Sequence, residues 1–212
     1  MAEPVDHITA ARTALACLDL TSLNEGDTEA GIDTLCRRAR GPQGPVAAVC
    51  VWPRWVAHAR AQGAGLRVAA VANFPDGALD VARALRDTAA ILDAGGDEVD
   101  LVLPYRTLMD GRASDAAALV RAVRRASAGH TLKLIIESGE LKDLILIRQA
   151  SVLGLDEGVD FLKTSTGKTP VSATPEAARC MLEVLASHPQ GRKAGFKASG
   201  GIRRVADAAV YL

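Results

Sequence analysis

Read for the alternation of apolar and polar positions, the chain repeats a two-part pattern. A short apolar run bounded by Gly, Pro or polar turns is followed by a longer stretch with apolar residues at three- and four-residue spacing. The short runs are LACLDL, VAAVCVW, LRVAAVA, EVDLVLP, LKLIIE, VDFLKT and AGFKA, and they predict seven strands. The longer stretches predict helices. In the clearest, Leu79, Ala82, Leu85, Ala89 and Leu92 form one apolar stripe, with Arg83, Arg86 and Asp87 on the other side. Another opens with Thr174 as N-cap, Pro175 in the first helical position and Glu176 in the first turn, a start signal with three separate physical supports.

Seven such βα units predict a parallel sheet, either doubly wound or closed into a barrel. Periodicity does not choose between the two. Polar residues at the strand ends do: Asp19, Asn73, Asp100, Glu137, Lys163 and Lys197 place chemistry at one end of most strands. That is the arrangement of a TIM (β/α)8-type barrel, whereas a doubly wound sheet gathers function at one switch point. The expectation is an α/β chain forming a single barrel domain over residues 1–212, its leading segment a helix capping the barrel bottom.

Composition narrows the partners. With 25 basic and 25 acidic residues the formal net charge is zero, so neither nucleic acid nor an anionic membrane is expected as a partner. No apolar run reaches the roughly 18 residues of a spanning helix. Hydrophobic content is 49% with only 3% aromatic, which predicts an aliphatic core. Cys17, Cys36, Cys50 and Cys180 are widely spread, without a CxxC. They are expected to be reduced, buried thiols of a cytoplasmic protein, Cys50 being the one nearest the pocket end of its strand. The four histidines lack metal-ligand spacing, and neither metal nor cofactor is expected.

The candidate chemistry lies on lysines. In VDFLKTSTGKT, an apolar strand delivers Lys163 and breaks into a polar turn carrying Lys168. An ammonium on a strand covered on both faces is costly unless paired or neutral. A neutral amine is a nucleophile able to form a Schiff base with a carbonyl. AGFKA delivers Lys197 in the same way, and a charge on Lys197 would push Lys163 toward the neutral form. Asp100 interrupts the apolar run of DEVDLVLPY and could anchor Lys197 or relay protons. Lys133 and Glu137 could form a supporting ion pair on the fifth strand.

STGKT fails as a nucleotide phosphate loop, because G-x-x-x-x-G-K-[ST] requires a glycine where this chain has Leu162. Backbone N–H groups around Gly167, with the Lys168 ammonium, can still hold a phosphate, and Gly200 and Gly201 offer a second such turn. Asp19, Thr21 and Leu23 in DLTSLN, with Asn73 and Phe74 in ANFPDG, fall where pocket-lining residues of a barrel would fall.

Together EVDLVLPYR, KLIIESGELKD, DFLKTSTGK and GFKASGGIR resemble deoxyribose-phosphate aldolase, a family of class I aldolases built on a TIM barrel. CLDLTSLN, VCVWPRW and VANFPDG extend the resemblance to the early strands, so that it runs from about Cys17 to the last residue. It implies reversible cleavage of 2-deoxy-D-ribose 5-phosphate to acetaldehyde and D-glyceraldehyde 3-phosphate, without a cofactor. Lys163 is then the imine-forming residue, with Lys197 and Asp100 as proton carriers. Thr164, Gly167, Lys168, Gly200 and Gly201 join Asp19, Thr21, Leu23, Asn73 and Phe74 in holding the phosphorylated sugar. Another Schiff-base aldolase acting on a related sugar phosphate, or a catalytically weak barrel, remains an alternative.

The chain departs from this pattern in one respect. A TIM barrel has eight strands and roughly 250 residues, whereas this sequence has 212 and carries no Gly-Ser-Ser turn of the kind that completes the family's phosphate site. Seven strands predict an open barrel whose first and last strands expose their edges, with self-association into a homo-oligomer as one way to cover them.

Overall fold

The computed structural model describes residues 7–63 and 65–212. The apolar runs form β1 (Asp19–Thr21), β2 (Ala48–Val51), β3 (Val68–Ala72), β4 (Glu98–Val102), β5 (Thr131–Ile135), β6 (Phe161–Lys163) and β7 (Gly195–Lys197). They pair in parallel, each with its neighbour in chain order. A two-stranded ribbon, Arg40–Gly41 with Gly44–Pro45, precedes β2. The helices are α1 (His7–Cys17), α2 (Glu29–Arg38), α3 (Val56–Gln62), α4 (Val81–Asp93), α5 (Tyr105–Met109), α6 (Ala113–Ala126), α7 (Ser138–Leu141), α8 (Leu144–Asp156), α9 (Pro175–Ser187) and α10 (Val205–Ala209).

Side-chain contacts settle the shape of the sheet. Flat, it would hold β1 and β5 about 19 Å apart, four strand spacings of about 4.8 Å. Instead Lys133 Nζ on β5 lies 2.7 Å from Asp19 Oδ2 on β1, and Lys197 Nζ on β7 lies 2.7 Å from Asp19 Oδ1. Only a strongly curled sheet brings first, fifth and seventh strands together, so the fold is a TIM-type barrel with seven strands and not a doubly wound sheet.

Val, Ala, Leu and Ile fill the space between sheet and helices. Every residue of β2, β3 and β4 is buried, and Ile32, Ile91, Leu119 and Met181 close the contact from α2, α4, α6 and α9 with no exposed surface. Each such Leu or Ile contributes about 1.5–3 kcal/mol by leaving water. No helix among the described residues is long and apolar enough to cross a membrane.

Between β7 and β1 the described residues place no strand. The edge is nonetheless bridged. Lys197 reaches Asp19 and donates to the Cys17 carbonyl at 3.0 Å, while α1 and α10 pack on each other. α1 also touches the ribbon. From Arg192 onward no residue is buried, and Val205, Val210 and Leu212 are exposed.

Three local expectations change. Leu15 to Cys17 belong to α1 rather than to the first strand, because the Ala-rich run before them favours helix. In α4 the buried stripe is Ala84, Thr88 and Ile91, with Leu79 and Ala82 exposed. The helix is turned by its polar side: Arg83 Nη2 donates to the Phe74 carbonyl at 2.6 Å, and Asp87 Oδ2 accepts the Asn73 N–H at 2.9 Å, tying α4 to the loop after β3. Cys36, Cys50 and Cys180 are buried as expected, but Cys17, at the helix end, is exposed. The Thr174 cap is present, its side chain accepting the Ala177 N–H at 3.2 Å.

Candidate active site

The inner face of the barrel carries buried charges of both signs. Parallel register sets Lys163 on β6 beside Lys197 on β7, and Asp100 on β4 beside Lys133 on β5. Because side chains alternate faces along a strand, each pair points the same way, toward the barrel axis. Lys163 Nζ lies 2.5 Å from Asp100 Oδ2. Lys133 Nζ is shared by three carboxylates: Glu98 Oε2 at 2.5 Å, Asp19 Oδ2 at 2.7 Å and Asp100 Oδ1 at 3.1 Å. The last contact is electrostatic, and Asp100 Oδ1 makes no hydrogen bond. Lys197 completes the set on Asp19, and Arg67 Nε holds Glu98 Oε1 at 2.7 Å. Three carboxylates and three lysines balance within the barrel, which is how so many ions survive there.

This pairing differs from the expected one. Asp100 anchors Lys163 and Lys133, and Lys197 goes to Asp19. Lys133 and Glu137 do not pair, since Lys133 points inward from mid-strand while Glu137 lies beyond the end of β5. Asp19 and Asp100 also sit within the barrel rather than at its rim, Asp19 opening its strand and Asp100 at the middle of its own.

The charges fix the protonation states. Burial works against the Asp100 carboxylate, but the Lys133 and Lys163 ammoniums outweigh it and hold the group well below the usual carboxylate range. Burial likewise favours a neutral Lys163, yet the Asp100 carboxylate wins and raises this lysine above its ordinary value. The expectation of a depressed Lys163 therefore does not hold in this resting arrangement, and the neighbouring cation opposing its charge is Lys133, not Lys197. Lys133 is also raised well above its ordinary value, its burial outweighed by Asp100, Asp19 and Glu98. Cys50 Sγ lies 3.9 Å from Asp100 Oδ2, and burial, then Asp100, push this thiol up to about 12, so it is protonated.

At the mouth, two glycine turns abut. Gly167 and Gly200 both have positive φ, +75° and +83°, and a Cβ built on Gly200 would lie 3.2 Å from the Gly167 Cα and 2.4 Å from Ser172 Oγ. Ser199 sews the two turns together: its N–H donates to Thr164 Oγ1 at 2.9 Å and its hydroxyl to the Ser165 carbonyl at 2.6 Å. Lys168 Nζ crosses to the Leu23 carbonyl at 2.7 Å. Gly201 follows at φ +79° with open space around it.

The barrel thus brings Lys163, Lys197, Asp100 and Asp19 together inside, with Gly167, Lys168, Gly200 and Leu23 above them. Other candidates serve the loops. Thr21 Oγ1 turns back to the Asp19 carbonyl at 2.9 Å. Asn73, at φ +55°, donates from Nδ2 to the Ala78 and Val102 carbonyls at 2.8 and 3.1 Å, and Phe74 packs edge-on against Trp52. Thr164 is committed to Ser199. A cavity of about 620 Å³ on the outer wall, lined by Leu144, Arg148, Arg179, Cys180 and Glu183 among others, contains none of the inner charges.

Comparison with known proteins decides the family. The sequence profile described as DeoC/LacD family aldolase matches residues 13–211. The chain belongs to this family. It is therefore an aldolase, a carbon–carbon lyase of a family in which a lysine Schiff base is general. A curated relative, deoxyribose-phosphate aldolase of Agrobacterium fabrum, is 50% identical over 207 residues, covering 96% of this chain and 79% of its own. A solved structure from Coccidioides immitis, provisionally assigned as deoxyribose-phosphate aldolase, superposes with a TM-score of 0.88 at 31% identity, covering 95% of this chain and 78% of its own. The tetrameric deoxyribose phosphate aldolase of Aeropyrum pernix, at 24% identity, shares the fold with a TM-score of 0.80, covering 98% and 86% of the two chains.

The carboxylate cluster around Lys133 and the part played by Ser199 escaped the sequence reading. Glu98 and Lys133 were visible as charges in apolar strands, but Glu98 stood at a strand start, where a charge is unremarked, and Lys133 had a nearer carboxylate to suggest a partner. Ser199 carried no signal beyond preceding two glycines.

Proposed function

We propose that this aldolase cleaves 2-deoxy-D-ribose 5-phosphate reversibly to acetaldehyde and D-glyceraldehyde 3-phosphate through an imine on Lys163, as a cytoplasmic enzyme. The observation that carries the reading is the buried Lys163–Asp100 contact below two abutting glycine turns: a nucleophile and its proton acceptor under a mouth fit for phosphate. Asp100 Oδ2 takes the Lys163 proton, and the free amine adds to the C1 aldehyde carbon. The same carboxyl returns a proton to the carbinolamine oxygen, water leaves, and the iminium becomes the electron sink. Loss of the C3 hydroxyl proton to the Asp100 carboxylate, the group that later returns it to C2, breaks the C2–C3 bond. Its electron pair moves to C2 as an enamine while the three-carbon aldehyde departs. Protonation at C2 and hydrolysis then release acetaldehyde and restore Lys163. Lys197, paired with Asp19, carries protons on the opposite side.

The two-carbon product follows from bond order, since only C1 and C2 stay on the lysine. The phosphate, at the far end of the sugar, suits the N–H groups of Gly167 and Gly200 with the Lys168 ammonium, which would leave Leu23 to meet it. Names of the relatives support this substrate, and four free thiols suit a reducing compartment. The exposed Val205, Val210 and Leu212 suit contact with a second copy. The test is a coupled assay for both products from 2-deoxy-D-ribose 5-phosphate beside a panel of other sugar phosphates. Preferred turnover of the deoxy sugar is expected; turnover of another sugar phosphate alone would overturn the assignment.

A further inference from the structure

The charge on Glu137 belongs to none of the steps above, yet the side chain is completely buried. It follows the last residues of β5, with φ 54° and ψ 57°, left-handed values that cost a non-glycine residue about 1–3 kcal/mol. Such a conformation persists only where contacts hold it. Here the Thr166 N–H donates to both carboxylate oxygens, at 3.3 and 3.2 Å, and the Thr169 hydroxyl is shared between Glu137 Oε1 at 3.2 Å and the Val171 carbonyl at 3.0 Å. Thr166 and Thr169 bracket Gly167 and Lys168. The next turn of chain is fitted just as closely: a Cβ built on Gly139 would lie 1.9 Å from the Val171 carbonyl oxygen, so the loop after β6 rests directly on the α7 backbone.

We infer that Glu137 is a positioning residue for the substrate's phosphate, its carboxylate holding the Thr166–Thr169 turn so that Gly167 and Lys168 face the two glycines after β7. The inference rests on the phosphorylated substrate proposed above. A bare carboxylate near a phosphate would repel it, but this one is spent on two donors of the turn, beneath the face offered to the ligand. On the other side Ser199 performs the matching task for Gly200. The turn is thus clamped from β5 and from β7, and on the β5 side Glu137 supplies the side-chain contacts.

The experiment compares 2-deoxy-D-ribose 5-phosphate with unphosphorylated 2-deoxy-D-ribose in the parent, Glu137→Ala, Glu137→Gln and Thr169→Val, alongside borohydride trapping of acetaldehyde. In Glu137→Ala, KM for the phosphorylated sugar should rise at least ~10-fold, with kcat/KM for the unphosphorylated sugar and the acetaldehyde trapping rate unchanged. Glu137→Gln, which keeps one acceptor oxygen, should recover part of the loss. Thr169→Val removes one donor from a half-exposed position without touching the core, and should show a smaller shift of the same kind. Equal losses on both sugars in these variants would make Glu137 merely structural, and an unchanged ratio between the sugars would remove it from phosphate positioning; either overturns the inference. A parent that does not prefer the phosphorylated sugar would instead overturn the substrate reading, and the two failures are told apart by the parent alone.

Discussion

Lys163 and Lys197 stand side by side in register on adjacent strands, yet their surroundings differ. Lys163 belongs to the wall formed by β4, β5 and β6, where Asp100, its partner, is fully buried and the strands are packed on both faces. Lys197 belongs to the last strand, all of whose residues are half-exposed, beside a helix with no buried residue. Its ammonium is held by Asp19 and the Cys17 carbonyl across the gap to β1. The wall fixes an amine in one place by packing, and the edge holds a charge by two polar contacts. A nucleophile needs the first and a proton carrier tolerates the second, so the division of packing mirrors the proposed division of labour.

The largest effect of breaking this contrast is expected at the centre of the wall. Lys133→Met removes an ammonium shared by Asp19, Glu98 and Asp100. Removing one partner of a buried pair costs about 3–5 kcal/mol, and the low end applies because Lys197, Arg67 and Lys163 remain to those carboxylates. Urea unfolding measures it, with the exposed Arg148–Glu183 pair as control: Arg148→Ala should cost under about 1 kcal/mol. Equal losses would mean that wall and surface charges are not distinct.

At the edge the effect moves from stability to rate. Lys197→Leu should lose less stability than Lys133→Met, because Asp19 keeps Lys133, while turnover falls about 10²-fold with the loss of one proton carrier. Imine trapping should persist in this variant. Trapping abolished as completely as in Lys163→Leu would erase the distinction between the two lysines.

The smallest effect to be read is a shift of pH dependence, set by the charge on Asp100. Asp100 is what keeps Lys163 above its ordinary pKa, against the pull of burial. In Asp100→Asn that opposing field is gone and the proton acceptor with it, so trapping slows, the Lys163 pKa falls, and the pH profile of the remaining trapping moves to lower pH. The stability consequence has a definite sign. The depressed Asp100 contributes above the unfolded carboxylate value of about 4, and loses that contribution as pH falls through its lower folded value. The raised Lys163 contributes below about 10.4, and loses it as pH rises through its higher folded value. Asp100→Asn should therefore flatten the acid limb of the stability curve, and an unchanged limb would remove Asp100 from it.

How much of this could be read in the sequence follows from the range of the interactions. The strands were legible because burial on both faces leaves near-continuous apolar runs, and Lys163, Lys197 and Asp100 were legible as interruptions of them. The Thr174 helix start was legible because capping is local. The pairing of those charges was not. Asp19 meets Lys133 across the barrel, 114 residues away, and no local pattern encodes which of three carboxylates a lysine reaches once the sheet curls. Lys163 was read with the wrong sign for the same reason: its nearest charge is set by curvature, not by strand neighbours. The α4 stripe failed because Arg83 and Asp87 bond to the loop after β3, and that tertiary demand turned the helix. Glu137 was placed at a strand end, but its left-handed backbone and its two donors, some thirty residues onward, appear only in the folded chain.

Central to the proposed mechanism is that the packed lysine, and not the one on the edge, forms the imine. Acetaldehyde followed by borohydride and peptide mass spectrometry tests this directly. The reduced adduct should appear on the peptide containing Lys163, with Lys197 unmodified, and Lys163→Leu should carry none while keeping its fold by circular dichroism. An adduct on Lys197, or one that survives in folded Lys163→Leu, would contradict it.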